Sequence, residues 1–160
     1  MEKNGTILIV DDSALNRALL KEIFSSDYFI AEASNGVEAL EYIRRNAADI
    51  SVILLDVVMP ELDGFGVIAE MSKEGLLEFA PVVIITSENS ANNEERLLEL
   101  GASDIISKPF KAGILTKRVR NVVNSARHTS KLEELASDLT RRLRLSYSGM
   151  VDTLSSIIEY

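Results

Sequence analysis

The chain has 160 residues, 46% of them hydrophobic and 26% charged, with no cysteine and a net charge of −8; that composition excludes a disordered chain, a disulfide scaffold and a thiolate metal site. The negative charge lies in residues 1–126, where 12 Lys+Arg face 20 Asp+Glu, while residues 127–160 carry 5 of each, so direct nucleic-acid binding is not expected. No apolar run approaches the ~20 residues of a membrane span, and no signal-peptide core precedes the first apolar run, which points to a cytoplasmic location.

The hydrophobic period alternates between strand and helix along the chain. Thr6–Val10 reads as a first strand, followed by a helix capped by Ser13 with Leu15, Ala18, Leu19 and Ile23 on one face. Phe29–Ala33 reads as a second strand ending in Ser34-Asn35-Gly36, and the next helix carries Val37, Leu40 and Ile43. Val52–Leu55 is wholly apolar, as a central strand covered on both faces should be. A loop with Pro60 and Gly64 leads into a helix bearing Phe65, Ile68 and Met71. Val82–Ile85 is the fourth strand; the polar loop Glu88-Asn89-Ser90 precedes a helix that Gly101 caps. Asp104–Ser107 is the fifth, and a last helix starts after Pro109 with Ile114, Leu115, Val119, Val122, Val123 and Ala126 as its docking face.

Five such units predict an α/β fold, a doubly wound five-stranded parallel sheet in the flavodoxin-like order 2-1-3-4-5. The last helix is expected to extend well beyond the sandwich. Apolar residues from Leu132 to Ile158 recur at spacings of three or four, with an imperfect heptad in which Leu135, Leu139, Leu143 and Tyr147 step by four and Gly149 interrupts. We therefore divide the chain into a domain over residues 1–126 and a helical linker or extension over 127–160, leading to an output domain outside this sequence.

Four strands end in a polar residue suited to catalysis: Asp11-Asp12, Asp56, Thr86, and Lys108 before Pro109. In an open α/β sheet the ligand crevice lies beyond the carboxyl ends of the strands, so these residues should converge. Asp11, Asp12 and Asp56 suit Mg²⁺, a hard cation that takes oxygen ligands and few carboxylates. Asp56, at the end of the most buried strand, can act as a nucleophile that forms an acyl phosphate. The Lys108 ammonium and the Thr86 hydroxyl can hold phosphoryl oxygens. Asp11-Asp12 alone could merely cap a helix, but with Asp56 and Lys108 in register that reading leaves three carboxylates crowded together. His128 has no histidine or cysteine partner, and Arg141, Arg142 and Arg144 read as a solvated helix face. No Gly-x-Gly-x-x-Gly or Gly-x-Ser-x-Gly motif is present, so neither a dinucleotide-binding enzyme nor a small-molecule hydrolase is expected, and no cofactor-binding residue is assigned.

In this ordered set, together with Val57-Val58-Met59-Pro60-Glu61-Leu62-Asp63-Gly64 and Lys108-Pro109-Phe110, the chain resembles the receiver domain of two-component response regulators from residue 6 to about 126. The resemblance implies a phosphoprotein switch and not an enzyme: Asp56 is phosphorylated by a sensor histidine kinase or a phosphotransfer protein. It implies Mg²⁺ held by Asp12, Asp56 and the Val58 carbonyl, with Asp11 acting through water, and a cis bond before Pro109. Two departures and two tuning positions stand out. Ile105 replaces the aromatic residue that often swings inward on activation, Ser87 replaces a very small residue, and Val58 and Glu88 occupy positions that tune hydrolysis. Residues 147–160 look like the helix leading into HD or HD-GYP phosphohydrolase domains, so the full-length protein could be a metal-dependent cyclic dinucleotide phosphodiesterase. A third reading is a phosphorylation-independent dimerisation module acting through residues 127–160; for the receiver itself the expected self-association is a homodimer through the C-terminal helix or the strand-4/strand-5 face.

Overall fold

The β-branched runs form strands and the amphipathic stretches form helices, in the expected alternation. β1 (Thr6–Val10), β2 (Phe29–Ala33), β3 (Ile50–Leu55), β4 (Val82–Thr86) and β5 (Asp104–Ser107) alternate with α1 (Ala14–Phe24), α2 (Gly36–Asn46), α3 (Gly64–Lys73), α4 (Ala91–Leu100) and α5 (Ala112–Ile158). The structure, a computed structural model, describes residues 2–88 and 90–158. Asn89 of the polar loop and the last two residues of the stretch 147–160 therefore lie outside the described residues.

The sheet is parallel throughout and runs β2-β1-β3-β4-β5. β3 is central and, apart from the half-buried Ser51, buried along its length, which explains its apolar sequence. Alternate strand residues feed two cores. Leu8, Val10, Ile53, Leu55 and Ile84 face α2, α3 and α4, through Leu40, Ile43, Val67, Ile68, Met71 and Leu97. Ile7, Ile9, Leu54, Val83 and Ile85 face α1 and the start of α5, through Leu20, Phe24, Leu115, Val119 and Val123.

Local signals set the helix ends. Ser13, Asn35, Asp63 and Ser90 are N-caps whose side chains accept hydrogen bonds from backbone amides in the first turn. Gly101 ends α4 in the left-handed region at φ 115°, its amide donating to Leu97 and Leu98 carbonyls.

Several expected faces are corrected. α1 docks through Leu20 and Phe24, with Ile23 half-buried, and leaves Leu15, Ala18 and Leu19 exposed. Its apolar residues run around most of the helix, so periodicity alone could not choose the stripe that meets the sheet. Val37 and Ile114 are also exposed, each in the first turn of its helix. β3 begins two residues earlier than expected, at Ile50, and β4 extends one residue further, through Thr86.

The chain divides into two compact units, Met1–Val123 and Asn124–Tyr160. Within the second unit every described residue is helical through Ile158, and Leu132, Leu135, Leu139, Leu143, Met150 and Leu154 are each more than half exposed. Tyr147 is exposed as well. No helix among the described residues is long and apolar enough to cross a membrane.

Candidate functional site

Register brings the polar strand ends together. Val10 pairs with Leu55, so Asp11 and Asp56 leave the same rung side by side, and the Asp56 amide donates to the Val10 carbonyl at 2.9 Å. Ile84 pairs with Leu55 and Thr86 with Ser107, which sets Thr86 and Lys108 at the same edge of the sheet. Asp11, Asp12 and Asp56 each present a carboxylate oxygen, and these oxygens lie within 4.8 Å of one another. Asp11 and Asp56 are buried and Asp12 is exposed, so the cluster opens on one side.

The Lys108 ammonium lies 3.0 Å from Asp11 Oδ2 and 3.6 Å from Asp56 Oδ2. The bond from Lys108 to Pro109 is cis. Thr86 is 1% exposed, and its Oγ1 accepts the Glu88 amide at 3.1 Å. Val58 lies two residues past Asp56 with its side chain exposed, and Ile105 is half-buried against the core shared with α4.

The loop after Asp56 is held tightly. Val57 N donates to Asp56 Oδ1 at 2.8 Å, and Gly64 N donates to the Val57 carbonyl at 2.8 Å. Glu61 turns the chain back in the left-handed region at φ 67°. A Cβ on Gly64 would sit 2.6 Å from the Asp56 carbonyl oxygen, so only glycine permits this close approach.

Two residues of the site escaped the reading of the sequence. Asn16 Nδ2 donates to Asp11 Oδ2 at 3.2 Å, and Arg17 Nη1 donates to the Asp11 carbonyl at 2.7 Å. With Ser13 N on Asp11 Oδ1 at 2.9 Å, the first turn of α1 grips Asp11 from several sides. The available signal was position: the first turn of a helix that follows a strand-end carboxylate faces that carboxylate.

Burial pushes the Asp56 carboxyl above its usual range; Lys108 opposes the shift, Asp11 adds to it, and the Val57 and Val58 amides pull it back. Three carboxylates facing one ammonium leave an excess of negative charge in a partly dry crevice. The donor set is all oxygen and includes an exposed member, which fits a hard divalent cation that keeps several waters.

The sequence model of the response regulator receiver domain matches residues 7–120. A "Probable transcriptional regulator ycf27" of Guillardia theta is 37% identical over 132 residues, 82% of this chain and 49% of that protein. A "Probable cyclic di-GMP phosphodiesterase" of Vibrio cholerae serotype O1 is 32% identical over 159 residues, 97% of this chain and 34% of that protein. The chain thus spans half or less of the length of these curated relatives. Among solved structures, the CheX-CheY-BeF3-Mg+2 complex from Borrelia burgdorferi superposes with a TM-score of 0.70 at 28% identity, covering 75% of this chain and 90% of that one. The chain belongs to the response regulator receiver domain family, the phosphoacceptor modules of two-component signalling.

Proposed function

We propose that Asp56 accepts a phosphoryl group from the phosphohistidine of a sensor histidine kinase or a phosphotransfer protein, and that this switches an output carried elsewhere. The observation that supports the reading is the convergence of Asp11, Asp12, Asp56 and Lys108 at one edge of the sheet. An Asp56 carboxylate oxygen forms a bond to phosphorus as the bond from phosphorus to the donor imidazole nitrogen breaks, and that nitrogen leaves with the bonding electrons. Receiver domains bind Mg²⁺ at such an acidic pocket. Here Asp12, Asp56 and the Val58 carbonyl would hold it, with Asp11 acting through water, and the ion supplies positive charge to the phosphoryl oxygens.

The chain's own groups do the rest. Lys108 neutralises a phosphoryl oxygen, exchanging Asp11 for the new anion. The Thr86 hydroxyl hydrogen-bonds another, which draws the loop after β4 inward. With Ile105 in the aromatic place, the switch is a shift of β4, β5 and their loops that reaches the C-terminal helix. A kinase or phosphotransfer protein that must reach Asp56 would meet the exposed Leu15 and Leu19 of α1 beside the crevice. The proposed domains are 1–126 for the receiver and 127–160 for the linker; the setting is the cytoplasm, without direct contact to nucleic acid. Self-association runs through the C-terminal helix or the β4–β5 face.

Hydroxylamine tests the chemistry. After Mg²⁺ and acetyl phosphate it should convert an acyl phosphate into a hydroxamate, and peptide mapping should place that on Asp56. A hydroxamate elsewhere, or none, would contradict the assignment.

A second reading draws on the match of 97% of this chain, tail included, to the probable phosphodiesterase. The chain is then the regulatory part of an HD or HD-GYP-type metal phosphohydrolase acting on a cyclic dinucleotide. The full-length protein should hydrolyse cyclic di-GMP; a protein that does not, and lacks downstream His-Asp ligands, would remove this reading.

A further inference from the structure

The exposed stripe of the second unit follows an eleven-residue repeat. Leu132, Leu143 and Leu154 stand eleven apart, as do Leu139 and Met150. The positions three and four after each of those leucines hold Leu135 and Ala136, then Ser146 and Tyr147, then Ile157 and Ile158, so Ser146 alone is polar. One repeat upstream the corresponding places are Asn121, Asn124, Ser125 and His128, and the seam therefore begins at Leu132. Eleven residues in three turns is about 3.67 per turn, slightly more than the α-helical 3.6, and sustains a nearly straight seam with a right-handed tendency. The three successive steps of four from Leu135 to Tyr147, which spoil a heptad, belong to this longer frame.

The stripe has no cover in its own unit, which consists of this one helix. Side chains of this size, each more than half exposed along seven turns, exceed the contiguous apolar patch of a few hundred Å² that monomers usually leave bare. Two hydroxyls at its margins are already satisfied: Thr140 Oγ1 donates to the Ala136 carbonyl and Thr153 Oγ1 to the Gly149 carbonyl, each at 2.9 Å. The margins can therefore dry without stranding a donor.

Charge decides the occupant and its direction. Residues 127–160 carry equal numbers of acidic and basic groups, so two copies do not repel as two acidic bodies would. Around the helix, at ~100° per residue, Lys131, Asp138 and Arg142 flank the stripe on one side and Glu133 and Arg144 on the other. In a parallel pair opposite flanks meet, so Lys131 faces Glu133 of the second copy and Asp138 faces Arg144. Arg142 is the one like-charged neighbour of that Arg144, and Asp138 of its own helix holds it at 3.3 Å. In a fully overlapped antiparallel pair like flanks meet instead, with Arg142 opposite Ser148 and Arg144 opposite Ser146, so neither Lys131 with Glu133 nor Asp138 with Arg144 can pair.

We propose that residues 132–158 pair in parallel with a second copy of this chain, as a two-stranded coil in the eleven-residue frame. This deepens the self-association named above and is independent of phosphoryl transfer, so Asp56→Asn should pair as well as wild type.

The absence of cysteine makes the test direct. Single-cysteine variants of the whole chain at Leu132, Leu143 and Leu154 are oxidised, beside controls at Arg142 and Thr153, which a seven-residue frame running from Leu132 would bring into the seam. Sedimentation of wild type should show a dimer at micromolar concentration. The three seam variants should cross-link to themselves at least about tenfold faster than either control. Cross-linking at Leu143→Cys but not at Leu132→Cys and Leu154→Cys would overturn the parallel direction. Controls as fast as the seam would overturn the frame, and a tetramer the stoichiometry. A monomeric wild type with no seam cross-linking would mean that something other than a second copy covers the stripe.

Discussion

Lys108 and Asp11, 97 residues apart in sequence, meet at 3.0 Å across the end of the sheet. β3 and β4 lie between the strands that these two residues follow. The ammonium thus rests on Asp11 and, at 3.6 Å, on Asp56. A phosphoryl group on Asp56 would compete for it, which gives the site two distinct arrangements of one cation.

Divalent metal should stabilise the fold. Ion bound only to the native state adds about 2.7 kcal/mol at a hundredfold excess over its dissociation constant. Thermal melts should rise with Mg²⁺, and Asp12→Ala should abolish most of the rise, because Asp12 is the exposed member of the cluster. An unchanged Mg²⁺ response in that variant would remove Asp12 from the ligand set.

Asp56 should make stability depend on pH in a particular direction. Burial raises its carboxyl above the ordinary 3.8, so the folded protein holds that proton more tightly than the unfolded chain. Ionisation then costs stability: the loss begins as pH rises above 3.8 and is complete beyond the raised folded value. Asn cannot ionise. Without Mg²⁺, Asp56→Asn should match wild type in acid and be the more stable protein at neutral pH. A difference that does not vary with pH would show that charge burial is not the cause.

Two glycines should respond in opposite senses to alanine. At Gly64 the added Cβ meets the Asp56 carbonyl oxygen at 2.6 Å and Val57 Cα at 2.8 Å, so the loop must shift, at a cost of about 1–3 kcal/mol, and phosphorylation should slow. At Gly149 nothing lies within 4 Å, so alanine should strengthen the helix by about 1 kcal/mol. Chemical denaturation reads the first change and helicity by circular dichroism the second.

Asn16→Ala should loosen Asp11. The lost hydrogen bond to a buried carboxylate is worth about 1.5–3 kcal/mol, less whatever water recovers, and weaker Mg²⁺ binding should accompany it. Asn16→Asp, which places a fourth carboxylate beside the cluster, should be worse than alanine for stability without metal. Equal stability of all three proteins would show that Asn16 does not hold Asp11.

The strands and the site were legible because both follow from local rules. A buried parallel strand has to be apolar, as β3 is, and a crevice residue has to follow it, as Asp56 does. Helix phase was less legible. α1 offers Leu15 and Leu19 on one side and Leu20 and Phe24 on another, and only the tertiary contact selects the second pair. Asn16 and Arg17 were missed for a related reason: their partners are a side chain and a carbonyl of Asp11, and polar residues on a helix carry no periodic signal of such contacts.

The most direct test of the account is the intact mass of wild type and Asp56→Asn after incubation with Mg²⁺ and acetyl phosphate. The account predicts one phosphoryl adduct on wild type that requires Mg²⁺ and is absent from the variant. An adduct of equal yield on Asp56→Asn, or one formed equally well without Mg²⁺, would contradict it.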